Sequence, residues 1–307
     1  MKKIICLALT LFLIVMNLTG CVNEKVGFLS DPYTNIGIKN EIIDSLDRND
    51  SQVQIALGED FEQKKNLLQS QNLHAQGLMA LCAYPSPLNI DGSDEVQKWF
   101  KHAFKRVELT SEQEVQIAKL NTWPFSWCLL NKSSLTSAGL IALCKNQGEL
   151  DLNDKTNQEL YIKHFKKTKL TPNQEVEIAK MGIFIYSKAL LLKPDLSASG
   201  LIELCKNPGE LQLANKNIRK YFIEAIKRTP LTEKEQVILA KINSYSAYSN
   251  GLLQRQDLTV NALITLSNYP PFSDKTQELF YEAIDRQGDN LTPEQKQLII
   301  TNISQNN

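Results

Sequence analysis

Apolar positions recur with helical spacing over most of this chain. In the stretch from Leu135, "LTSAGLIALCKNQGEL", residues Leu140, Ile141, Leu143 and Cys144 form one apolar side and predict a helix over roughly residues 137–146. Leu160, Ile162 and Phe165 predict a second helix over roughly 155–167. Val176, Ile178, Ile183 and Phe184 predict a third over roughly 172–192. Gly148, and Gly209 one period later, stand where the first of these helices would stop. No stretch sustains the alternation of a strand.

The pattern is copied along the chain. "LSASGLIELCKNPGEL" begins at Leu196, and related text begins at Leu73 ("LHAQGLMALC") and Leu258 ("LTVNALITLS"). A second anchor runs in phase: "LTSEQEVQIAK" from Leu109, "LTPNQEVEIAK" from Leu170, "LTEKEQVILAK" from Leu231 and "LTPEQKQLIIT" from Leu291, at spacings of 61, 61 and 60 residues. Each second anchor opens with a threonine (Thr110, Thr171, Thr232, Thr292) followed three residues later by Gln113, Gln174, Glu235 or Gln295. That is a capping box, in which the hydroxyl and the Gln or Glu side chain satisfy free backbone N–H groups at a helix start. Pro172 and Pro293 stand at the first helical position, where a missing N–H is harmless. "NEIIDSLDRNDSQVQIAL" from Asn40 matches the end of a second helix and the start of a third. The expected fold is therefore all-α: tandem three-helix repeats of about 61 residues stacked as a curved array. It comprises a partial unit 38–72 and units 73–134, 135–195, 196–257 and 258–307. The repeats resemble helical arrays of the tetratricopeptide type in general design only, since that type has a period of about 34 residues and two helices.

The N-terminus changes the picture from fold to address. Lys2 and Lys3, an apolar run from Ile4 to about Met16, and Leu18-Thr19-Gly20-Cys21 read as an export signal over residues 1–20, too short for a membrane span. The Leu-Thr-Gly-Cys ending resembles the lipobox of bacterial lipoproteins. That resemblance implies cleavage before Cys21, a diacylglyceryl group on its thiol and an acyl chain such as palmitate on its new amino group. Two or more acyl chains make a stable anchor without a spanning helix. In lipoproteins of this kind an Asp after the cysteine marks inner-membrane retention, so Val22 points to the outer membrane. Residues 21–37 read as a tether.

Composition narrows function. Removal of residues 1–20 leaves 32 basic against 34 acidic residues, a balance unsuited to nucleic acid. Nucleophile, zinc-protease and phosphate-loop motifs are absent, and no catalytic, metal or cofactor residue stands out. Cys82, Cys144 and Cys205 share one repeat position and fit a buried small residue; their spacing lacks the close pairs of a zinc site. Cys128, aligned with Ala189 and Asn250, is unique to one repeat and is a candidate for a disulfide with Cys144 or Cys82. His74 stands at a helix start, as a cap or surface residue, and His102 and His164 are not equivalent positions, so no shared job falls to His164. Trp123, Phe184 and Tyr245 share one position and read as core. Trp127, aligned with Lys188 and Ser249, breaks the pattern just after Pro124, which is expected to kink its helix. Basic pairs Lys105-Arg106, Lys166-Lys167 and Lys227-Arg228 close the second helix of three units, either as complements to the helix dipole or as a ridge for an acidic partner. Trp127, Lys166, Lys167, Lys227 and Arg228 are thus the candidate partner surface, and Cys21 the lipid-attachment site. The expected function is non-enzymatic: a lipid-anchored module binding another envelope protein. The competing expectation is an envelope hydrolase acting on peptidoglycan or a related polymer. A deep cleft holding a buried carboxylate present in only one repeat would separate the two.

Overall fold

The computed structural model describes residues 32–305 apart from 148–149, 243–244 and 270–272. The signal, Cys21 and most of the tether lie outside the described residues. Within them the chain forms eighteen α-helices, two 3-10 turns and no strand. The helices are α1 (Pro32–Ser45), α2 (Ser51–Leu57), α3 (Phe61–Gln69), α4 (Ala75–Ala83), α5 (Asp94–Arg106) and α6 (Ser111–Lys119). Next come α7 (Trp123–Leu130), α8 (Ser137–Lys145), α9 (Lys155–Lys167), α10 (Pro172–Lys180), α11 (Phe184–Leu191) and α12 (Ala198–Lys206). The last six are α13 (Lys216–Arg228), α14 (Glu233–Lys241), α15 (Ser246–Leu253), α16 (Val260–Ser267), α17 (Asp274–Gln287) and α18 (Pro293–Gln305).

The all-α array is present, but each period holds four helices where three were expected. The segment 172–192 is two helices, α10 and α11. Gly182 between them has φ +67°, and Asn121 at the equivalent place between α6 and α7 has φ +53°. A left-handed residue closes one helix and turns the chain into the next. Pro124 therefore kinks nothing: it lies in the first turn of α7, where proline is tolerated. The capping boxes form as expected at Thr110, Thr171 and Thr232, and Thr292 makes the same reciprocal bonds with Gln295.

From α2 onward each helix packs on the helices two before and two after it. Even-numbered helices form one layer and odd-numbered helices the other, so the period is a pair of helical hairpins. Helix α1 departs from this order. It begins at Pro32, within the stretch read as tether, and packs on α4 and α6, with Ile42 buried on it and Leu46 buried just past its end. One continuous core runs from Ile42 to Ile303. The odd layer is pinned by an aromatic pair in each period: Phe100–Phe125 at 5.3 Å, Tyr161–Tyr186 at 5.1 Å and Phe222–Tyr248 at 5.1 Å between ring centroids.

The first helix of the last three units ends on an asparagine, not at the glycine, and that of unit 73–134 ends on Tyr84. The Asn146 and Asn268 side chains donate to carbonyls four residues back, those of Ala142 and Ile264. Gly209 has a different task. Its backbone lies against Gly182 so closely that an added Cβ would sit 2.3 Å from the Gly182 carbonyl oxygen, and the Glu210 N–H donates to that oxygen at 2.9 Å.

Candidate functional site

In every second joint between successive even-numbered helices a polar side chain sits between the two, buried in the α6–α8, α10–α12 and α14–α16 joints and half-buried in α2–α4. Glu114 on α6, Glu175 on α10 and Gln236 on α14 hold one register position, with Gln52 on α2 as the first member. Each accepts from the backbone N–H at the start of the following even helix. Thr136 donates to Glu114 at 2.8 Å, Ser197 to Glu175 at 2.8 Å, Thr259 to Gln236 at 2.9 Å and His74 to Gln52 at 3.1 Å. The approach is close because the facing residue is glycine in three joints: a Cβ on Gly139 would lie 2.4 Å from Glu114 Oε2, and one on Gly200 would lie 2.9 Å from Glu175 Cβ. The fourth joint has Ala262.

A buried carboxylate needs a cation, because desolvating it alone costs several kcal/mol (order of magnitude). Lys193, 0 % exposed, places Nζ 3.3 Å from Glu175, itself 0 % exposed, and also bonds the Asp195 carboxylate. Lys132 occupies the same place opposite Glu114, but at 3.8 Å, and donates to the Val107 carbonyl at 3.2 Å. Burial lowers the Lys132 pKa, while Glu114 and Glu108 pull it back up. In the glutamine joint the cation is Arg255, which pairs with Asp257 at 2.8 Å and donates to the Ile226 and Thr229 carbonyls. Asp195 and Asp257 share a register position that holds Ser134 beside Lys132. A cavity of about 370 Å³ opens there, lined by Arg106, Val107, Glu114, Lys132, Ser134 and neighbours.

The basic residues that close the second helix of each unit do not serve that helix's own dipole alone. Arg106 reaches across to the carbonyls of Leu68 and Ser70 at the end of α3. Arg228 does the same to Leu191 and Lys193 at the end of α11, and Arg286 to Leu253 at the end of α15. At the end of α7 the task falls to His164, whose Nε2 lies 2.8 Å from the Leu130 carbonyl oxygen. His164 is 1 % exposed, and burial holds its pKa below the usual 6.5. It therefore has the shared structural job that the sequence reading denied it. It enters one helical turn earlier than Arg106 and Arg228, which is why counting positions missed it. His74 is a helix cap as expected, its Nδ1 accepting from Gly77 N–H at 3.4 Å.

Of the candidate partner surface, Lys166, Lys167 and Lys227 are exposed, and Lys227 pairs with Glu224 at 3.4 Å. Arg228 is committed to the cap. Trp127 is half-buried, stacks on Trp123 at 6.0 Å and carries Lys101 Nζ 4.4 Å from its ring centroid. Of the three residues read as core, Trp123 and Phe184 are partly buried and pack against it, and Tyr245 does not. They stand at the start of α7, α11 and α15, only partly covered, and Tyr245 is 43 % exposed. Phe61, which opens α3 and is 38 % exposed, shares the register of Trp123 and Phe184; in the next copy that register holds Ser246, and Tyr245 stands one residue before it. The spacing of α15 from α11 is 62 residues, so Cys128 matches Gly251, and Trp127 matches Asn250.

Cys82, Cys128, Cys144 and Cys205 are buried free thiols, and burial pushes the pKa of each up. The disulfide considered for Cys128 is not formed. A further buried charge lies outside the joints: Lys64, fully buried on α3 at the register of Ser126, Ser187 and Ser249. Its ammonium donates to the Tyr84 carbonyl at 2.8 Å and to that of Ser86, and lies 4.5 Å from the Tyr84 ring centroid. Burial lowers its pKa to about 8 against the pull of Glu59. Among the described residues no group of His, Cys, Asp and Glu could hold a metal ion, and no helix is long and apolar enough to cross a membrane. Comparison with protein-family models, curated proteins and solved structures finds no match.

Proposed function

We propose that this chain is a lipid-anchored helical-repeat lipoprotein of the bacterial cell envelope that binds another envelope protein without catalysis. The anchor rests on the signal and on Leu18-Thr19-Gly20-Cys21, and Val22 favours the outer membrane. The binding role rests on one observation: the partly exposed aromatics Phe61, Trp123 and Phe184 at one register, with Tyr245 one residue before that register in the next copy, beside fully buried aromatics such as Phe100 and Tyr186. Aromatic rings left partly open on a stacked array are the residue type that anchors protein interfaces. The carboxylate at the described cavity does not favour the hydrolase reading. Glu114, the carboxylate at the cavity, recurs as Glu175, and both are engaged by backbone N–H groups and a lysine.

Photo-crosslinking in the native envelope tests the binding role, with the reactive residue placed at Trp123, Phe184 or, as a control on α9, the exposed Lys163. One shared captured protein at the first two positions is expected, with none at the third. Equal capture at all three positions overturns the aromatic edge as the binding surface. Fatty-acid labelling that is as strong in Cys21→Ser as in wild type overturns the anchor.

A further inference from the structure

The molecule contains three copies of one buried cation site, and two of them are filled by its own aspartates. Lys193 is met by Glu175 and by the Asp195 side chain, and Arg255 is met by Asp257. The third copy has Lys132 with Glu114 at 3.8 Å, a single carbonyl bond to Val107 and Ser134 in the aspartate register. A cavity of about 370 Å³ opens beside Lys132 and Ser134, where the other two copies carry an aspartate at the rim. An ammonium has three donors, and removal from water makes an unfilled donor costly. Lys132 is about as buried as Arg255, at 5 % and 4 % exposure, yet it has fewer oxygens. Arg106, whose Nε is buried without a partner, and the hydroxyls of Ser134 and Thr136 line the same space. Glu108 stands on the rim, exposed and without a hydrogen bond to Lys132. The equivalent residue beside Asp195 is Lys169.

We propose that the Lys132–Ser134 cavity binds a carboxylate from outside the chain, held by the Lys132 ammonium where Asp195 and Asp257 hold the other two cations. The geometry selects a carboxylate on a short stem, such as an acidic side chain, because that is the group seated in the two filled copies. This assignment stands apart from the aromatic edge and holds whether or not that edge binds a protein.

The test uses the full chain in detergent, isotope-labelled for NMR. The probe is N-acetyl-glutamate α-amide, with N-acetyl-glutamine amide and inorganic phosphate as controls. Saturable shifts confined to the amides of residues 107–109 and 132–136 are expected with the glutamate probe, and at least tenfold weaker binding with either control. Ser134→Asp should place an internal carboxylate on Lys132 and weaken probe binding at least fivefold while leaving the helical spectrum intact. Asp195→Ser should open a second site and raise the stoichiometry from one to two. Absence of saturation in wild type overturns the proposal, as does a loss under fivefold in Ser134→Asp. A stoichiometry that stays at one in Asp195→Ser overturns the equivalence of the copies. Phosphate binding as tight as that of the probe overturns the choice of a carboxylate.

Discussion

The joint between α10 and α12 and the joint between α14 and α16 solve one problem with different chemistry. In the second, a single glutamine suffices: Gln236 Oε1 accepts from the Thr259 N–H, and its Nε2 donates to the Asp257 carbonyl at 3.0 Å. In the first, two residues divide that work. Glu175 accepts from Ser197 N–H, and Lys193 Nζ approaches the Asp195 carbonyl, the counterpart of the Asp257 carbonyl, at 3.5 Å. The α2–α4 joint repeats the glutamine solution, with Gln52 Nε2 donating to Asn72 at 2.9 Å, and Ser70 stands where the lysine would be. The requirement is thus an acceptor for the N–H of the next helix and a donor for one loop carbonyl. Where the acceptor is an acid, the buried lysine also pairs with it; beside Gln236 the buried cation, Arg255, is met by Asp257 instead.

The largest effect should come from breaking that rule. Lys193→Met leaves Glu175 charged and buried with no cation, and such a break costs about 3–5 kcal/mol. In a nearest-neighbour array the loss should appear as faster amide exchange in α10–α12 before any distant helix loosens. The double variant Glu175→Gln/Lys193→Met imports the uncharged pattern of the α2–α4 joint, where Gln52 stands with Ser70, and should recover most of the loss. If the double variant exchanges as fast as the single, the two joints are not equivalent.

Gly200→Ala probes the same contrast through shape. Its methyl group would meet Glu175 Cβ at 2.9 Å, whereas the α14–α16 joint already carries Ala262. Overpacking of this kind costs about 1–3 kcal/mol. Ala262→Gly relieves no clash and should cost only the helix penalty of roughly 0.5–1 kcal/mol. Denaturant midpoints of the two variants give the comparison directly, and equal losses would mean the glycine is not there for the glutamate.

What the sequence disclosed and what it hid divide along physical lines. Helix starts were legible because a threonine and a glutamine three apart state a hydrogen-bond pattern, and Thr110, Thr171 and Thr232 all make it. The break between α10 and α11 was missed because apolar spacing runs on through Ile178, Ile183 and Phe184, and only the left-handed Gly182 and Asn121 betray it. The joints were missed because a charged residue is read as solvent-facing by default. Glu114 and Glu175 share a register, as do Lys132 and Lys193, and that double coincidence was the available signal. The aromatic positions were found but read as fully covered, whereas Trp123 and Phe184 are only partly covered and Tyr245 is exposed: a recurring ring says that a position matters, not how far it is covered.

The smallest effects come from two residues of one unit, and they reverse the order that the sequence suggested. Thr171→Ala removes the cap of α10, a nine-residue helix and not the longest of its unit, where α9 has thirteen. The side chain is at the surface, so the loss should be about 1 kcal/mol, the usual worth of such a cap. His164→Ala should cost more, about 1–3 kcal/mol, because it leaves the Leu130 carbonyl buried without its donor and empties the space of the ring. The two also differ in pH response. Burial lowers the His164 pKa below 6.5 in the folded chain, so below that pH the unfolded chain binds more protons. The stability that depends on a neutral His164 is complete above pH 6.5 and drains away as the pH falls through that value. His164→Asn should flatten this acid-side slope, whereas Thr171→Ala should leave it unchanged. Denaturant midpoints between pH 7.5 and pH 5 read both effects at once. A slope unchanged in His164→Asn would mean that the ring is already protonated in its place at the end of α7.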